Sequence, residues 1–94
     1  MKKQRTVREP QKSILVERVQ TGVRLEKNLL KVLRAVADYL DMSLGDLLEG
    51  IVLHSFEGKP PFTKDTLRVI QKFKELYGLK LDSTASHRMR EKEA

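Results

Sequence analysis

The chain has no cysteine and no tryptophan, and only 5% of its residues are aromatic. Without cysteine, disulfide bonds, thiolate metal centres and thiol nucleophiles are excluded. Few aromatics in 94 residues mean a thin core for one small domain. Oligomerisation is the usual remedy for a core of that size. No apolar run is long enough to span a bilayer, and the N-terminal residues form no apolar signal segment, so a cytoplasmic location and no membrane partner are expected. The two histidines, His54 and His87, have neither cysteines nor a carboxylate cluster around them, which gives no metal-ligand pattern. No phosphate-cradling glycine loop or nucleophile–base pair is present. No metal, no cofactor and no enzymatic activity are therefore expected.

What is present is uneven positive charge. The net charge is +6, and residues 1–25 contribute seven Lys/Arg against two acids. Residues 26–58 are acidic, with three bases against six acids, and residues 59–94 are basic again, with nine against five. Basic charge at both ends of a small chain is the footprint of a polyanionic partner.

Hydrophobic periodicity divides the chain. Residues 1–12, basic and interrupted by Pro10, read as a flexible arm. From Val19 to Leu25 the residues alternate, with Val19, Thr21, Val23 and Leu25 suited to a buried face and Gln20, Gly22 and Arg24 to an open one. Period two predicts a short β-strand. With no second strand in the chain to pair with, the expectation is a homodimer sharing a two-stranded ribbon.

From about Lys27 to Leu40 the period is helical, with Leu29, Leu33, Val36 and Leu40 on one stripe, widened by Leu30, Val32 and Ala37. Asn28 is a suitable cap, and Asp41 suits the left-handed residue that ends a helix. Ser43-Leu-Gly-Asp46 has the spacing of a capping box and starts a second helix with Leu44, Leu47, Leu48, Ile51, Val52 and Phe56 on its apolar face. Gly58 and Pro60-Pro61 end that segment. A third helix is expected from about Lys64 to Tyr77, capped by Thr63 and stopped by Gly78. Residues 79–94 lack a sustained pattern and read as a disordered tail. The organisation expected is an arm at 1–12, a DNA-binding and dimerisation domain at 13–58, a linker and third helix at 59–78, and a tail at 79–94.

The order of strand, helix, tight turn and capped helix resembles the ribbon-helix-helix family of DNA-binding proteins, the Arc and MetJ repressor type. The resemblance lies in Val23-Arg24-Leu25, the Leu29–Leu40 stripe, Asp41-Met42-Ser43, and Leu47-Leu48 with Ile51. It implies a mainly α fold with one short strand, as an intertwined homodimer with a two-stranded antiparallel ribbon, and here an extra C-terminal helix. It also implies a ribbon in the major groove of double-stranded DNA. Bases would then be read by Gln20, Gly22 and Arg24, and phosphate held by the amides of Ser43 and Leu44. Gly22 has no side chain to read with, and Asp41 stands where glycine is common in that family. Arginine matches the two acceptors of guanine, and glutamine those of adenine. Lys2, Lys3, Arg5 and Lys12 of the arm are expected to contact phosphates. The function expected is that of a dimeric, sequence-specific transcriptional regulator acting as a repressor. The alternatives are an antitoxin that binds a toxin through residues 59–94, and a dimeric protein-interaction module with no role at DNA.

Overall fold

A computed structural model describes residues 13–92; the arm at 1–12, with Lys2, Lys3, Arg5 and Lys12, lies outside the described residues. A segment without regular secondary structure, 13–26, leads into three helices: α1 (Lys27–Tyr39), α2 (Leu44–Phe56) and α3 (Lys64–Tyr77). A single 3-10 turn follows at Ser83–Ala85.

The strand and the ribbon are not there. Among the described residues there is no β-strand, so the ribbon-helix-helix architecture is corrected to a mainly α, three-helix fold. The reason is visible in the burial. The alternation from Val19 to Leu25 was expected to sort side chains into a covered face and an open one. Instead Val19 is 81% exposed, Val23 73% and Leu25 40%. The apolar phase is left largely open, and among the described residues no other segment pairs with its backbone to make a strand. A strand exists by pairing; alternation alone does not supply a partner.

Each helix starts on a side-chain oxygen. Glu26, and not Asn28, caps α1, its carboxylate accepting the Leu29 N–H at 2.7 Å. Asn28 instead lies inside the helix, two residues past the cap position. The Ser43 hydroxyl accepts the Asp46 N–H at 3.1 Å, and the Thr63 hydroxyl accepts that of Thr66 at 3.1 Å. These bonds satisfy amides that a helix start leaves open.

All three helices also end alike. The residue after each C-cap is left-handed or, in α3, the cap itself is: Asp41 at φ 62°, Gly58 at 70° and Gly78 at 69°. Paired backbone bonds close each end: Asp41 to Asp38 with Met42 to Ala37, Gly58 to Ser55 with Lys59 to His54, and Gly78 to Glu75 with Leu79 to Lys74. This is the Schellman arrangement, which occupies carbonyls the helix cannot use.

Val32, Val36, Ala37 and Leu47 are the buried apolar residues. Around them Leu33, Leu40, Met42, Ile51, Phe62, Ile70, Phe73 and Leu79 are half-buried. α1 is the hub, packed against both α2 and α3. At 100° per residue, Leu29 and Leu33 lie at the middle of the α1 stripe, with Val36 beside them. That middle is not sealed. Leu29 and Leu33 line an apolar groove of about 360 Å³ with Ile51, Ile70, Leu81 and Met89.

Burial falls steadily around α2. Leu47 is 3% exposed; Leu44, Leu48 and Ile51 are half-buried; Val52 is 42% exposed, Phe56 81% and Leu53 63%. By helical geometry these seven apolar side chains cover roughly 240° of the circumference. A helix apolar over that much of its surface is normally covered on more than one side. Here one side alone is covered. Gly50 has no atom within 4 Å of where a Cβ would stand, so no close approach within the chain explains it.

Candidate nucleic-acid interface

Gln20, Gly22 and Arg24 lie on the exposed segment 13–25, outside the packed helices. Among the described residues, nothing apart from its chain neighbours lies within 4 Å of where a Cβ on Gly22 would stand. Arg18, two residues before Gln20, is a further arginine of this segment that was not among the expected site residues.

The segment is held at two points. The Arg18 guanidinium donates from Nε and Nη2 to the two carboxylate oxygens of Glu49 on α2, at 2.8 and 2.7 Å. This bidentate match is the geometry arginine makes with carboxylate or phosphate. It raises the Arg18 pKa and lowers that of Glu49 from 4.5, chiefly through the hydrogen bonds. The Arg24 guanidinium donates in the same two-point manner to Glu91, near the end of the described chain, and its pKa is raised by that bond. Both pairs are exposed to solvent. They join residues 31 and 67 positions apart. Neither acid carried a sequence signal, because separation of that size is set by the helix packing alone.

Ser43 stands at the N-cap of α2 and Leu44 is its first residue, half-buried. The free amides and partial positive charge of a helix start favour an anion. Two carboxylates oppose that here: Asp46 lies in the first turn and Asp41 in the preceding reversal. Among the described residues no side-chain hydrogen bond or ion pair joins the start of α2 to Gln20 or Arg24, so the two sets of expected site residues are not brought together by such bonds.

Two further polar side chains bond within a few residues of themselves. His54 Nδ1 donates to the Gly50 carbonyl at 2.7 Å, within its own helix. Asp82 accepts from the backbone N–H and hydroxyl of Thr84, which holds its carboxyl below the usual range. Among the described residues, no group of three or more His, Asp or Glu could hold a metal ion. No helix among them is long and apolar enough to cross a membrane.

Comparison of the chain with protein-family models, with curated proteins and with solved structures finds no match in any of the three.

Proposed function

We propose that this protein is a DNA-binding regulator that acts as a dimer, with the exposed segment before α1 as its DNA-facing surface. The observation that carries the reading is the segment itself. Residues 13–25 are exposed throughout, and Arg18, Gln20 and Arg24 recur at every second or fourth position along them. Two arginines in two-point contact with carboxylates already display the geometry in which arginine grips phosphate or guanine. The chain's charge of +6 adds the long-range attraction. With Asp41 and Asp46 beside it, the start of α2 adds little, and affinity rests on the segment and the basic arm.

The dimer follows from the outer face of α2. Val52, Leu53 and Phe56 are large, apolar and exposed on one helix, and the core of a single chain is small. A second copy presenting the same face would cover both in a self-complementary contact. The antitoxin alternative is less favoured, since α3 packs on α1 and is not a free segment awaiting a toxin.

The test is binding of the purified protein to a random-sequence duplex across a salt series, followed by selection of a preferred site. Binding should weaken steeply with salt as counterions are released. On the selected site, Arg24→Ala should lose about 1–3 kcal/mol per two-point base contact and relax the preference. No binding to any duplex at low salt would sink the reading and favour a protein-interaction module.

A further inference from the structure

The tail returns across the molecule along a defined path. Gly78 reverses the chain after α3, and Leu79 is half-buried against the core. Asp82 caps the turn at Ser83–Ala85, and the Arg88 guanidinium donates to the Thr84 carbonyl at 2.9 Å. Leu81 and Met89 line the same groove as Leu29 and Leu33. These groove contacts, with Leu81 37% and Met89 51% exposed, carry the chain to two residues before Glu91. Glu91 then meets Arg24 with both carboxylate oxygens. Arg24 is an arginine of the proposed DNA-facing segment, and a two-point carboxylate offers the acceptor pair that guanine or a phosphate offers.

We propose that the C-terminal tail is an intramolecular competitor of DNA, with Glu91 occupying the Arg24 guanidinium until a duplex displaces it. The inference rests on the DNA-binding reading above. The competitor is one contact and not a general acidic screen, because Glu91 is flanked by Arg90 and Lys92, with Arg88 close in sequence. A tail that repelled DNA through bulk charge would not carry those three bases. The tail thus supplies an occupant for Arg24 and, once released, further cations for the backbone. Both arginines of the segment are held in this way, Arg18 by Glu49 and Arg24 by Glu91, but Glu91 sits on a tail that can leave without unfolding a helix.

The test compares the full chain with Glu91→Gln on a random-sequence duplex at fixed salt. Glu75→Gln, which makes the same charge change on α3 away from the segment, is the control. Breaking an exposed pair of this kind should tighten binding by about two- to fivefold per protomer, beyond the effect of Glu75→Gln. The gain should vanish in an Arg24→Ala background. Met89→Ser, which loosens the anchor and leaves both charges in place, should tighten binding in the same direction. Equal affinities for Glu91→Gln and Glu75→Gln, or a gain that persists without Arg24, overturn the competitor while leaving the DNA-binding reading intact. No duplex binding by any of these proteins overturns that reading, and the competitor with it.

Discussion

Substitution of Phe56 by serine separates a lone chain from a dimer more sharply than any other change in this molecule. Phe56 closes α2 and is 81% exposed, with Leu53 one turn before it at 63%. In an isolated chain, Phe56→Ser removes little that is buried, and exposed changes of that kind usually stay within about 0.5 kcal/mol. If a second copy covers the face, each phenylalanine withdraws from water and contributes about 1.5–3 kcal/mol. A self-complementary interface contains the residue twice, so the dimer loses about 3–6 kcal/mol. At about 1.4 kcal/mol per tenfold, that weakens dimerisation by roughly two to four decades. Sedimentation equilibrium over a dilution series reads the association constant, and circular dichroism on the same samples reads helix content. The expected result is a parent dimer, a variant that dissociates at micromolar concentration, and helicity kept in both. A parent that is monomeric across that range, or a variant as dimeric as the parent, refutes the argument from the uncovered face of α2.

Further outcomes can be checked independently. Leu47→Ala removes the one buried residue of α2 and should cost about 2–5 kcal/mol in urea unfolding; a loss below 1 kcal/mol would show that α2 is not anchored there. Gly78→Ala places a Cβ on a left-handed residue with open space around it, so its cost is purely conformational, about 1 kcal/mol by thermal unfolding. Gly50→Ala should raise stability by roughly the same amount, since the added methyl meets no atom of its own chain; destabilisation instead would place the second copy against Gly50. Glu49 has a folded-state pKa depressed below 4.5 by Arg18. Its contribution is therefore full above that value and is lost as pH falls through the lowered one. Carboxyl NMR should show this late titration in the parent and its return toward 4.5 in Arg18→Ala.

The helices were legible because their signals are local. Ser43 and Thr63 are capping residues three positions before the amides they bind, and Gly78 stops α3 where the stripe ends. Asp41 was recognisable as a left-handed residue from its chemistry alone, and it has φ 62°. The strand was misread because alternation reports only which side chains are apolar. Whether anything covers Val19 or Val23 depends on the rest of the structure, and nothing described does. The Glu26 cap was overlooked in favour of Asn28, although both are polar and only two residues apart; the preference tables favour asparagine, while the backbone placed the carboxylate at the cap. Gln20, Gly22 and Arg24 were singled out as the open phase of a strand that the structure does not form, and the acids that meet Arg18 and Arg24 carried no sequence signal. Glu49 and Glu91 become neighbours of the segment only after the helices have packed and the tail has turned back.

The repeated left-handed reversals at Asp41, Gly58 and Gly78 bear on the speed of folding. Each is closed by bonds between residues no more than five positions apart, so every helix end can be completed by contiguous chain before any distant residue arrives. Chains dominated by such local closure search few long loops and fold on the microsecond-to-millisecond scale. The two long-range ion pairs, Arg18 with Glu49 and Arg24 with Glu91, lie at the surface and form only once the helices have assembled. They belong to the last events of folding and the first of unfolding. Substituting either pair should alter the unfolding rate and leave the refolding rate nearly unchanged.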